Sequence, residues 1–132
     1  MMKSPYDKYR QSSVQTSTPE QLVIMLYDGA IRFIRIAVDG MDKRNYEITN
    51  LNVSKAQTII SELMSTLDYT YDISKNLYSL YEYIYHLLIQ SNIKKEKALA
   101  EEALGYIQEL KDTWLEAIKM GTPKLGETTS HG

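Results

Sequence analysis

Residues 18–38 read TPEQLVIMLYDGAIRFIRIAV, and the reading of this stretch decides the fold. Thr18 stands where a helix N-cap belongs. Pro19 follows at the first helical position, where the missing N–H costs nothing, and Gln21 completes the spacing of a capping box. Beyond the cap, turning the chain about 100° per residue puts Val23, Leu26, Ala30, Phe33 and Ala37 on one stripe. Ile24, Tyr27, Ile31, Ile34 and Val38 make a second, and Met25 and Ile36 fall outside both. Only a narrow polar strip is left (Gln21, Asp28, Arg32, Arg35, Asp39). The spacing predicts a helix running to Met41, with Gly40 as its terminator.

Three more helices follow. One begins near Asn45 and ends near Asp68, with a seam of Val53, Ala56, Ile60, Leu63 and Leu67 stepping by three and four. Leu51 points nearly opposite that seam and Ile59 sits at its edge. The next is capped by Asp72 or Ser74 and carries Ile73, Leu77, Leu80, Ile84 and Leu87, with a tyrosine row of Tyr78, Tyr81 and Tyr85 beside them. After a corner at Asn92, the last keeps Ala103, Ile107, Leu110, Trp114 and Ala117 in step. No segment alternates with period two, and the connections are short. An all-α, antiparallel up-down four-helix bundle is expected over 18–120, with an extended N-terminal arm at 1–17 and a disordered tail at 121–132.

Composition agrees with one soluble folded domain: 132 residues, 43% hydrophobic, 24% charged, with no Cys and hence no disulfide or thiolate metal site. The net charge of −2 lacks the basic field that nucleic-acid binding needs, and the Lys94, Lys95, Lys97 group reads as a solvated corner. No apolar run is long enough to cross a bilayer, and helix 1 lacks the Lys/Arg-rich face of a membrane-surface helix, so no membrane insertion and a cytoplasmic location are expected. Eleven tyrosines stand against one Phe and one Trp, a bias suited to surfaces that are sometimes wet and sometimes covered.

Chemistry is not legible. His86 has Glu82 one turn earlier, but the paired Glu-x-x-His pattern of a carboxylate metal bundle is absent. Neither phosphate-binding glycine loop occurs, and Glu101 and Glu102 point to different sides of their helix. The expectation is a protein that is not an enzyme and that needs no cofactor or metal.

Helix 1 carries more apolar surface than one bundle face requires, and two readings stand. It packs centrally between two neighbours, or part of it lines a groove for a partner. Tyr6 and Tyr9 leave a similar choice between an arm lying over such a groove and a frayed terminus. A homodimer seam is the competing use for surplus stripes, giving a monomer or weak homodimer as the expected state.

The run from Thr18 to Ala30, preceded by Tyr6, Tyr9 and Gln11, resembles the start of the FliS-type flagellar secretion chaperones. Lys55-Ala56-Gln57 with Ile59 to Leu63 resembles that family's second helix, and Leu80 to Tyr85, Asn92 and Glu109 to Trp114 its third and fourth. The resemblance implies a cytosolic four-helix bundle that binds the disordered C-terminal segment of flagellin. It implies that binding prevents premature polymerisation and aids delivery to the flagellar type III export apparatus, with a component of the export gate as a further partner. It further implies client contacts at Tyr6, Tyr9, Leu22, Leu26, Tyr27, Leu51, Lys55 and Ile59, and an arm that covers part of the client surface in the free state.

Overall fold

The capping box at Thr18 forms as its spacing requires. The Gln21 N–H donates to the Thr18 hydroxyl at 3.1 Å, and the Thr18 N–H donates to the Gln21 side chain at 3.0 Å. From this cap the computed structural model, which describes residues 18–120, builds α1 over Pro19–Asp42. α2 (Tyr46–Ser65), α3 (Asp72–Lys94) and α4 (Lys97–Met120) follow, and no strand occurs among the described residues. The proposed arm and tail lie outside the described residues.

α1 packs beside α2 and α4, and α3 packs beside the same two, so the four helices close into a ring. A helix in such a ring meets a neighbour on each side, which accounts for the double stripe of α1. Leu26, Ala30, Phe33 and Ala37 of the first stripe and Tyr27, Ile31 and Ile34 of the second are all buried. Most of α1's apolar surplus is therefore core.

The α2 seam is buried through Val53, Ala56, Ile60 and Leu63, and Ile59 joins it. In α4, Ala100, Ala103, Ile107, Leu110 and Trp114 face inward. α3 departs from expectation. Its interior residues are Ser74, Leu77, Tyr81, Ile84, Leu87, Leu88 and Ser91, while Leu80 is half-buried and Ile73 is exposed. The heptad spacing holds, but Tyr81 takes the inner place expected of Leu80. The buried serines at its two ends donate to backbone carbonyls, Ser74 to Asp68 and Ser91 to Leu88, so neither hydroxyl is stranded.

Three helix ends also differ. Gly40 lies within α1, which runs on to Asp42, and the left-handed residue of that corner is Arg44 at φ 57°. Gly40 serves a close approach instead: a Cβ there would stand 2.7 Å from the Thr49 hydroxyl of α2. That hydroxyl donates to the Ala37 carbonyl at 3.1 Å, tying the start of α2 to α1. α2 stops at Ser65, and Asp68 instead organises the link by accepting from the Thr70 N–H and hydroxyl. The N-cap of α3 is Tyr71, without a side-chain bond; Asp72 lies in the first turn, where its charge suits the helix dipole.

Candidate functional site

Because both stripes of α1 are used inside, an exposed apolar surface has to be sought elsewhere. Large apolar side chains are exposed on α3 (Ile73, Tyr78, Tyr83, Ile93) and α4 (Leu115, Ile118, Met120) as well as on α2. Leu51 is 54% exposed, Ile48 40% and Tyr46 43%, and Ile36 on α1 is 38% exposed. Ile48, Leu51 and Lys55 recur at steps of three and four, so they line one outward edge of α2. Lys55 shows which neighbour this edge faces: its ammonium lies 5.3 Å from the centre of the Phe33 ring of α1. Arg32 of α1 covers the same ring, its guanidinium carbon 4.7 Å from the centre. Phe33 thus lies beneath two cations where α1 meets α2, and Ile48 and Leu51 share the outward edge of α2 with Lys55. Leu22, half-buried in the first turn of α1, shares the Phe33 side of its helix by spacing.

The other flank of α1 bears a cleft of about 660 Å³ against α4, lined by Asp28, Ile31, Arg32, Arg35, Ile36, Gln108, Lys111 and Asp112. It is crossed by a 2.7 Å ion pair from Lys111 to Asp28 and mixes both signs of charge. Arg32 and Ile36 line this cleft, and Arg32 also lies over the Phe33 ring.

The residues expected to meet a client divide clearly. Leu51 is exposed, and Lys55 and Leu22 are half-buried. Leu26, Tyr27 and Ile59 are interior, with at most 1% of their surface exposed. Their place in the bundle is the core. Each was read from a short motif whose spacing cannot separate the inner from the outer side of a helix lying between two neighbours. Tyr6 and Tyr9 lie outside the described residues. The sequence reading missed Ile48, although it lies one turn before Leu51. It also missed the role of Arg32 and Phe33, because a cation lying on an aromatic leaves no periodic trace.

At the top of the bundle Lys95, left-handed at φ 53°, closes α3 and reaches back to α2. Its ammonium donates to Asn50 Oδ1, Asn92 O and Asn92 Oδ1, each at 2.7 Å, and lies 5.6 Å from the Tyr46 ring. On the opposite flank, the Tyr83 hydroxyl donates to Glu102 at 2.9 Å and its ring meets Tyr106 edge-on. That hydrogen bond to a carboxylate holds the Tyr83 hydroxyl above its ordinary pKa. Among the described residues no group of His, Asp and Glu could hold a metal ion, and no helix is long and apolar enough to cross a membrane.

The sequence profile of the family described as "Flagellar protein FliS" matches residues 2–121. The chain belongs to the FliS family. A relative from Bacillus subtilis (strain 168), a flagellar secretion chaperone FliS, is 39% identical over 118 residues, covering 89% of each chain. Another flagellar secretion chaperone FliS, from Escherichia coli (strain K12), is 30% identical over 111 residues, covering 82% of each. A solved flagellar chaperone from bacteria superposes with a TM-score of 0.73 at 22% identity, over 87% of this chain and 95% of that one. The FliS family thus supplies relatives named as chaperones, which are not enzymes, and the superposition supports the four-helix fold.

Proposed function

We propose that this chain is a cytosolic export chaperone that binds the disordered C-terminal segment of flagellin. Binding keeps that segment from polymerising early, and the bundle hands it to the flagellar type III secretion apparatus through a component of the export gate. The observation that carries this reading is the outer edge of α2: Leu51, Ile48 and Tyr46 are exposed on a helix whose inner seam is already complete. The bundle's own packing gives these side chains nothing to cover.

The energetics of such a client suit a dispersed surface. A segment that orders on binding loses about 2–5 kcal/mol or more, and recovers it by burying on the order of 1,000–3,000 Å². One small pocket cannot supply that area. An amphipathic helix laid into a shallow groove, anchored at steps of three and four and continued over other faces, can. Tyrosines such as Tyr46, Tyr69, Tyr78 and Tyr83, all partly open to solvent, extend the apolar surface while remaining stable in water when no client is bound.

Calorimetric titration with the C-terminal segment of a flagellin from the same cell tests the proposal. Saturable binding with a strongly negative heat-capacity change supports it. No binding, together with concentration-dependent self-association by sedimentation, overturns it and assigns the exposed α2 edge to a homodimer seam.

A further inference from the structure

The first two turns of α2 run against the polarity of the rest of the helix. Over residues 46–52 the buried side chains are Thr49 and Asn52, whereas those further along are all apolar: Val53, Ala56, Ile59, Ile60 and Leu63. The exposed side of the same two turns carries Tyr46, Ile48 and Leu51. Apolar side chains that face solvent contribute no packing, so this end of α2 lacks the usual support of a helical turn. Directed bonds take its place. The Thr49 hydroxyl, wholly buried, donates to the Ala37 carbonyl of α1 at 3.1 Å, in space that Gly40 leaves open. From the α3 side, the Lys95 ammonium donates to Asn50 Oδ1 at 2.7 Å and lies 5.6 Å from the Tyr46 ring. Its bonds to Asn92 O and Oδ1, also at 2.7 Å, fix the ammonium itself and use the rest of its donors. Within α2, the Ile48 N–H donates to Asn45 Oδ1 at 3.3 Å, and the Asn52 amide donates to the Ile48 carbonyl at 2.9 Å. Side chains therefore hold both backbone groups of Ile48, and Leu51 stands between two residues that are themselves tied.

We propose that Thr49 and Lys95 are positioning residues for client recognition. They pin the first two turns of α2 to α1 and to α3, and so hold Ile48 and Leu51 in their docking arrangement before the client arrives. This rests on the reading of the α2 edge as a client-docking surface. A turn that is in place only part of the time binds with its affinity reduced by that fraction, so pinning it raises affinity without a contact to the client. The ordering cost of docking then falls on the client segment alone. Thr49, being buried, acts only through the residues it holds. The polar interior of these turns has the same origin: bonds to α1 and α3 keep the backbone in place while the apolar side chains stay outside.

The test uses the full chain and the C-terminal segment of a flagellin from the same cell, titrated by calorimetry. Thr49→Val replaces the hydroxyl by a methyl, and Thr49→Ser keeps the hydroxyl. Lys95→Met removes the ammonium and keeps the stem. Thr49→Val and Lys95→Met should each weaken binding about threefold to tenfold, and Thr49→Ser should recover most of the affinity. With Leu51→Ala already in place the same two substitutions should cost markedly less, because the anchor they position is gone. Amide hydrogen exchange should rise at residues 48–52 in both variants while residues 56–63 keep their protection. Tyr81→Phe, expected to lower stability from the centre of the core, should leave affinity unchanged, which separates positioning from a general loss of stability. Unchanged affinity in both Thr49→Val and Lys95→Met overturns the positioning role and leaves the client reading intact. An equal loss with and without Leu51, or a matching loss in Tyr81→Phe, does the same. Failure of the wild type to bind the segment overturns both.

Discussion

The hydroxyls of Tyr27 on α1 and Tyr81 on α3 lie 2.6 Å apart in the centre of the bundle, both wholly out of reach of water. They bridge the diagonal of a ring whose direct helix contacts run only along its sides. The indole N–H of Trp114 is also buried. It makes no hydrogen bond of normal geometry and exerts the weakest of the influences on the Tyr27 hydroxyl. The polar centre of this core is thus one hydrogen bond deep, and each hydroxyl depends on the other.

Removing either hydroxyl alone strands its partner. Tyr27→Phe and Tyr81→Phe should each lower stability by about 1–3 kcal/mol, whereas the double variant should cost little more than one single, because an unsatisfied buried group costs more than a missing pair. Urea unfolding followed by Trp114 fluorescence gives all three values. Additive losses would mean the hydroxyls act independently.

The same pair makes the bundle sensitive to alkali. Burial, reinforced by the neighbouring hydroxyl, pushes Tyr27 well above its ordinary value of 10.0, and burial pushes Tyr81 up to about 12. The folded chain then keeps protons that the unfolded chain releases, so stability is full below pH 10 and falls as pH rises toward 12 and beyond. The slope should approach about 1.4 kcal/mol per pH unit for each tyrosine. Urea midpoints measured across that range should fall for the wild type and fall less steeply for the double Phe variant.

Two helical glycines should respond oppositely to alanine. At Gly40 the new methyl meets the Thr49 hydroxyl at 2.7 Å and the Asn45 carbonyl at 3.1 Å, so Gly40→Ala should destabilise by about 1–3 kcal/mol. At Gly105 nothing lies within 4 Å, and Gly105→Ala should stabilise by about 0.5–1 kcal/mol through helix propensity. Thermal melts of the two variants should move in opposite directions.

Leu51→Glu changes an exposed side chain outside the inner seam. Its effect on stability should stay within about 0.5 kcal/mol. Affinity for the flagellin segment should fall at least about tenfold if the residue is an anchor. Calorimetry with a parallel melt separates the effects. A large loss of stability would show that Leu51 belongs to the packing of the bundle.

What the sequence determined by itself was local and periodic. Thr18, Pro19 and Gln21 specify where α1 begins, because a cap needs only its own four residues. The spacing of Val53, Ala56, Ile60 and Leu63, and of Ala103, Ile107, Leu110 and Trp114, specifies the inner faces of α2 and α4. The outward direction of Leu51 followed from the same periodicity. Tertiary structure decided what depends on a neighbour. Whether α1's second stripe was core or groove turned on α4 lying beside it, which no property of α1 reveals. Tyr81 could be core or surface by its spacing until Tyr27 supplies the hydrogen bond that allows its burial. Gly40 reads as a terminator until Thr49 is seen to need the space. The Arg32–Phe33–Lys55 cluster joins two helices through residues whose individual positions are unremarkable, so only packing brings it into being.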